Sequence, residues 1–283
     1  MTTSIRRWQV LTTSAIVVLS TVSALLGLFR PGHYNDAPAL LPTYFAQDLM
    51  MLAVGAPVLV LGLWFTMRGS LRGRIVWLGS LAYTTYMWAS IGLQVTFNEF
   101  FLGYVALFSL SLFTFVGGVV TTDATEIHDK LSGHISERVY GVFLLVIALG
   151  LAFLWLSEII PATLSGTPPL LVEEVGPQAT ISHFLDLSVV VPALVVSGIW
   201  LWQGRQWGYT LAGVSLVFGA VLAPTLTLAT FLLFTEGEVT VSVLVAVFTI
   251  LPAAIAATLA IKFVFAIPRE RRSRVAEEVG EAA

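Results

Sequence analysis

An ionisable side chain in hydrocarbon costs several kcal/mol unless it is paired or wetted, so acids and histidines inside apolar runs are the first candidates for chemistry. This sequence contains few of them. Asp48 precedes the run Leu49-Met50-Met51-Leu52, and Asp186 precedes Leu187 and Val189-Val190-Val191. His183 stands three positions before Asp186, on the same face of a helix. Glu158 closes another apolar stretch, and Asn98 with Glu99 marks a polar break between two more. Gln94 ends a stripe of Tyr86, Ser90 and Gln94 spaced by four, and Tyr104, Ser111 and Gly118 form a second stripe. Together Asp48, Gln94, Asn98, Tyr104, Glu158, His183 and Asp186 describe an outward-facing polar pocket.

That set permits three kinds of chemistry. If Asp48, Glu158, His183 and Asp186 converge, three carboxylates and one imidazole suit zinc, manganese or iron and metal-assisted hydrolysis. If the acids face a wet path, they can take up and release protons and drive transport. The third reading is structural: Asp48 and Asp186 lie near the positive ends of their helices, worth roughly 0.3–1 kcal/mol each, and His183 sits at headgroup level. In the polar stretch between the halves, His128, Asp129, His134 and Glu137 have metal-binding composition, but solvated loop residues account for them as well.

The elements that position these residues are helices in lipid. Of 283 residues 57% are hydrophobic and 11% charged, with a mean hydropathy of +0.89, which is far from a soluble domain. Apolar windows predict eight spans near 8–28, 45–67, 74–97, 100–120, 139–155, 182–202, 208–234 and 239–265. Thirteen of fourteen cations fall on one side, with Arg30 the exception, so both termini are expected to be cytoplasmic. The opposite loops carry Asp36, Glu99, Glu158, Glu173, Glu174, Glu236 and Glu238. The expected location is the plasma membrane of a prokaryotic cell. The first span also has the charge and small residues of a signal peptide.

A weak internal repeat appears at an offset of 130 to 138 residues. Arg7-Trp8 to Pro31 parallels Arg138-Val139-Tyr140 to Pro161, and Asp48, Pro57 and Trp64 parallel Asp186, Pro192 and Trp200. Copies with an even number of spans are parallel, four helices plus four. The implied organisation is a first half over 1–122, a cytoplasmic linker at 123–137, a second half over 138–268 and a disordered tail at 269–283. Asp123-Ala124-Thr125-Glu126 reads as a helix cap before the amphipathic Ile127, Leu131 and Ile135, and the proline-rich stretch 159–181 as a cap over the outer mouth. Trp8, Trp64, Trp77, Trp200, Trp202 and Trp207 read as an inner aromatic belt. Prolines 57, 192, 224 and 252 bend their spans.

Composition also excludes much. With no cysteine, disulfides, thiolate nucleophiles, iron–sulfur clusters and thiolate zinc sites are absent. No phosphate-binding glycine loop, paired haem histidines or His-Glu-x-x-His motif occurs, and the sequence leaves the cofactor unknown. The expected partners are the lipid bilayer and a small-molecule or lipid substrate, with no nucleic acid. The leading expectation is proton- or ion-coupled transport of a small solute. The alternatives are a membrane-embedded enzyme acting on a lipid or apolar substrate, and a non-catalytic assembly subunit.

Overall fold

A computed structural model describes residues 5–236 and 243–268, and among these the chain is helical throughout, with no strand. Six helical stretches are long and apolar enough to cross a membrane: Arg7–Phe29, Pro38–Met67, Phe101–Val120, Glu137–Ser165, Pro177–Trp202 and Gln206–Thr235. The chain is therefore an all-α, multi-pass, membrane-embedded protein. The segment after 268, with its four arginines, and Glu238 lie outside the described residues.

Helix α1 covers Arg7–Phe29. The second stretch is composite: a 3-10 turn Pro38–Leu40, α2 Leu41–Met50, a π turn Met51–Gly55, and α3 Ala56–Met67. Then come α4 Leu71–Gln94, α5 Phe101–Val120, the short α6 Ala124–Leu131, and α7 Glu137–Ser165. A small α8 Leu170–Val175 leads into a second composite stretch. This has a 3-10 turn Pro177–Ala179, α9 Thr180–Leu185, a π turn Asp186–Val190 and α10 Val191–Trp202. Helices α11 Gln206–Glu236 and α12 Val243–Ala266 complete the chain.

The two composite stretches share one cause. Pro57 and Pro192 lack an N–H, and each ring would collide with the carbonyl four residues back. The preceding turn widens instead: the Ala56 N–H bonds to the Met51 carbonyl, and the Val191 N–H to the Asp186 carbonyl. The π turns, the helices after them, the glycines Gly69 and Gly204 at φ 79 and 66, and the starts of α4 and α11 all correspond at an offset of 135 residues. In this register Asp48 corresponds to His183, and Asp186 to Met51. Of the pairs that the sequence suggests, Pro57 with Pro192 falls at this offset, whereas Asp48 and Asp186 are 138 residues apart.

Helix α4 is the centre of the bundle, packed against α3, α5, α9 and α11. It is too polar to rank with the six apolar stretches because its neighbours shield it from lipid: Arg74, Ser80, Thr84, Ser90 and Gln94 are all buried. Its contacts with α11 advance together along both helices, from Ile75 at Gly213, through Gly79 at Val217, to Tyr83 at Thr225. The two helices therefore run parallel. Gly79 is required at their crossing, because a Cβ there would lie 2.5 Å from the Val217 Cβ.

Polar side chains tie one end of the bundle together. Arg74 is buried and donates to Thr122 Oγ1 (2.9 Å), the Gly118 carbonyl (2.9 Å) and Thr121 Oγ1 (2.7 Å) at the C-terminus of α5, where a cation complements the helix dipole. Gln9 of α1 reaches the same Thr121, at 2.9 Å. Arg72 donates to the Ile267 and Phe265 carbonyls after α12, and the Tyr209 hydroxyl to Glu137 at 2.8 Å. The starts of α1, α4, α7 and α11 and the ends of α5 and α12 thus share one end. Asp123 caps α6 by accepting from Thr125 and Glu126, and Ile127 and Leu131 are fully buried, so α6 is seated on α11.

Trp77 is not a belt residue. It is 0% exposed, donates its indole N–H to Thr13 Oγ1 at 3.1 Å, and carries the Arg74 guanidinium 4.8 Å from its ring. Trp64 and Trp200 carry the guanidinium groups of Arg68 and Arg205 over their rings.

Candidate functional site

Asp48 is 1% exposed. The helix that carries it begins at Leu41, since Pro42 is tolerated in a first turn. Asp48 therefore lies about 10 Å into the helix, away from any positive helix end. One carboxyl oxygen, Oδ2, accepts the Tyr34 hydroxyl at 2.7 Å, while Oδ1 is buried without a partner. Gly27 of α1 makes the room: a Cβ there would sit 1.8 Å from Asp48 Oδ2. The Tyr44 hydroxyl is also buried and without a hydrogen bond, and the Tyr34 and Tyr44 rings lie 4.9 Å apart.

The Tyr34 hydroxyl neighbours that of Tyr104. His33 Nε2 and the Tyr104 hydroxyl share a hydrogen bond of 3.0 Å, and the Asn98 amide donates to that hydroxyl (3.2 Å) and to the His33 carbonyl (3.1 Å). Beyond them Arg30 and Glu99 pair at 2.8 Å on the exposed rim. Of these groups, His33 and Tyr34 lie in the turn between the first two spans. Burial first, and then the Arg30 cation, lower the His33 pKa below its ordinary value. Burial and Asp48 push the Tyr34 phenol far up.

Asp186 opens the second π turn and is 8% exposed. Both its oxygens are satisfied, Oδ1 by the Tyr86 hydroxyl at 2.8 Å and Oδ2 by the Trp155 indole at 2.9 Å. His183 packs on Trp155 with ring centroids 4.2 Å apart, and its Nδ1 contacts the Ala179 carbonyl at 2.8 Å. Its Nε2 lies 3.5 Å from Glu158 Oε2 and has no hydrogen bond. Glu158 Oε1 accepts the Leu171 N–H at 2.7 Å, which fixes the α8 segment. That segment contributes Val175 to a small apolar cluster with Ala179, Ala39, Leu40 and Tyr44. Gln94 donates to Ser182 Oγ at 2.9 Å. An open, apolar groove of about 430 Å³ runs past His183, Phe184, Leu187 and Ile159.

The structure thus places the seven sequence candidates in two networks. Asp48, Asn98 and Tyr104 belong to one; Gln94, Glu158, His183 and Asp186 belong to the other. Helix α4 stands between them: Tyr86 reaches Asp186, whereas Trp88 stacks on Tyr104 and donates to Ser20. Two residues apart on a helix is about 200°, so the networks occupy opposite faces of α4. The four proposed metal ligands do not converge, because Asp48 is held at Tyr34 on the far face. No group of three or more His, Asp or Glu side chains suited to a metal occurs among the described residues. In the connection between α5 and α7 His128 pairs with Asp129, His134 meets the Ser132 carbonyl, and Glu137 accepts from Tyr209.

Sequence reasoning missed His33, Tyr34 and Trp155 as partners of the acids. Trp155→Phe removes the only side-chain donor to Asp186 Oδ2 among the described residues, leaving a buried oxygen unsatisfied. It is expected to cost about 1–3 kcal/mol, read as a lower melting temperature in detergent that Trp155→His partly restores.

The chain was compared with protein families, with curated proteins and with solved structures, and none of them matches it.

Proposed function

We propose that the chain is a bundle of eight membrane-crossing helices made of two parallel four-helix copies. In this reading it sits in a plasma membrane with its cation-rich end inside and moves a small solute coupled to protons or ions. Asp48 and Asp186 are the carriers of charge. The observation that carries the transport reading is a pair of buried carboxyls, each bonded to a tyrosine hydroxyl, each in a helix widened by a π turn ahead of a proline. Acids kept in such surroundings mark ion and proton paths, and π turns recur at functional positions.

The repeat is supported by the common 135-residue offset and by the parallel α4 and α11. Gly79 packs against Val217 and the Val214 carbonyl, and Val214 is its own counterpart. A two-fold axis along the bundle brings equivalent positions together in this way. The orientation is supported by the shared end that holds Arg72 and Arg74 and, through Gln9, the start of α1.

The test uses vesicles containing the purified protein and an internal pH dye, exposed in turn to a panel of sugars, amino acids, organic acids and amines. A solute that shifts the internal pH in wild type and not in Asp48→Asn or Asp186→Asn supports the reading. A panel that moves protons equally in all three contradicts it.

One observation favours a second reading, a membrane-embedded enzyme acting on a lipid. The groove beside His183 is apolar and open, and His183 Nε2 is unbonded with Glu158 at 3.5 Å, a pairing suited to general acid–base work. On this reading His183→Ala abolishes turnover of a labelled lipid extract; unchanged lipid composition with wild-type protein excludes it.

A further inference from the structure

We infer that His33, Tyr104 and Tyr34 form a proton relay linking Asp48 to the polar rim at Arg30 and Glu99. The inference rests on the reading of Asp48 as a proton carrier. It deepens that reading by naming the route and the side from which the proton arrives.

Hydrogen bonds form the two outer links, His33 to Tyr104 and Tyr34 to Asp48, and the two tyrosine hydroxyls are neighbours between them. Arg30 and Glu99 are exposed and mutually paired. His33, three residues from Arg30, is buried, and its Nε2 lies 3.0 Å from the Tyr104 hydroxyl. Tyr104 is buried beside Tyr34, and Tyr34 donates to Asp48 Oδ2 at 2.7 Å. Every member can both give and accept a hydrogen bond. Asn98 fixes the middle of the chain. Its amide donates to the Tyr104 oxygen and to the His33 carbonyl, so the Tyr104 proton is left to point along the relay. Trp88 and Phe100 pack against the Tyr104 ring and close its sides.

One transfer moves one proton and changes no carbon bond. The imidazole passes its Nε2 proton to the Tyr104 oxygen, and Tyr104 passes its own to the Tyr34 oxygen. Tyr34 then protonates Asp48 Oδ2, and the imidazole regains a proton from the rim. Rotation of the two hydroxyls, together with return of the imidazole to its Nε2-protonated tautomer, resets the chain. A neutral imidazole, with one nitrogen protonated and one free, is the form this requires, and the burial of His33 beside the Arg30 cation favours it.

The alternative role for these residues is purely structural, a polar staple between α1, α2 and α5. The two roles differ in kinetics. Purified full-length protein is transferred from H2O to D2O, and the infrared carboxyl stretch that Asp48→Asn removes is followed as it shifts. In Tyr104→Phe and in His33→Ala the exchange is expected to slow roughly ten-fold or more. Added imidazole is expected to restore the rate in His33→Ala. Tyr34→Phe provides a second break in the chain should Tyr104→Phe fold poorly. Exchange as fast in His33→Ala and both phenylalanine variants as in wild type overturns the relay and leaves Asp48 as a carrier fed by another path. Absence of any carboxyl band that depends on Asp48 overturns the relay together with the reading beneath it.

Discussion

Asparagine at position 48 is expected to reduce solute-driven proton movement by roughly 100-fold while leaving the protein folded. The substitution is nearly isosteric, and the amide oxygen can still accept the Tyr34 hydroxyl that now meets Asp48 Oδ2. What disappears is the capacity to change charge, so vesicle flux falls and the melting curve in detergent stays close to wild type. Gly27→Ala is a separate route to the same phenotype. Its methyl would occupy the place of Asp48 Oδ2, so the carboxyl must leave Tyr34 even though no acid has been removed. Overpacking of this kind costs about 1–3 kcal/mol, so Gly27→Ala lowers both flux and melting temperature. Normal flux in Gly27→Ala would show that the position of the Asp48 carboxyl is immaterial.

The largest loss of stability is expected from Trp77→Ala. The indole is wholly enclosed where α1, α4 and α5 meet, bonded to Thr13 and lying beneath the Arg74 guanidinium. Its ring approaches Gly118 so closely that a Cβ there would lie 2.9 Å away. Truncation leaves a cavity and removes the indole donor to Thr13, whose hydroxyl still donates to the Gln9 carbonyl, a loss of about 3–5 kcal/mol. Trp77→Phe keeps most of the volume and gives up the hydrogen bond, about 1 kcal/mol. Trp64→Ala is the control. Trp64 is 51% exposed at its site of contact with Arg68, and its replacement is expected to stay within about 1 kcal/mol. Chemical or thermal unfolding of the three variants in one detergent checks the order, and equal effects of Trp77→Ala and Trp64→Ala would return Trp77 to the boundary.

These two residues show what the sequence made legible. Hydropathy located the helices within a few residues because lipid demands long apolar runs, and α5 buries Tyr104, Ser111 and Gly118 on one face, as their spacing suggests. Hydropathy says nothing about which helix is enclosed by others. Trp77 and Arg74 therefore looked like boundary residues, although α4 is the most shielded element. The apolar window near 139–155 falls short of α7, which runs through Pro161 to Ser165, into the stretch that reads as a cap over the outer mouth. In a membrane helix the hydrogen bond lost at a proline is tolerated.

The members of the candidate site were largely legible, but which partner each acid meets was not. Asp48 and Asp186 stand out because charge is rare in apolar sequence, and both are buried. Their partners do not stand out. Tyr34 lies 14 residues before Asp48 in a turn, Trp155 lies 31 before Asp186, and Tyr86 lies 100 before it. No local periodicity relates residues so far apart, and only packing around α4 determines which face each acid meets. The sequence pairings scatter over offsets of 130 to 138, and of them Pro57 with Pro192 matches the 135-residue offset of the π turns. Aligning the acids ignores the π turns, which the prolines set.

The most direct test of Asp48 as a charge carrier is the infrared difference spectrum recorded when a transported solute is added to the reconstituted protein. A gain or loss of protonated carboxyl signal is expected in wild type and should be absent in Asp48→Asn. A solute-induced spectrum identical in the two proteins would mean that Asp48 keeps one protonation state through the cycle, and would contradict its role.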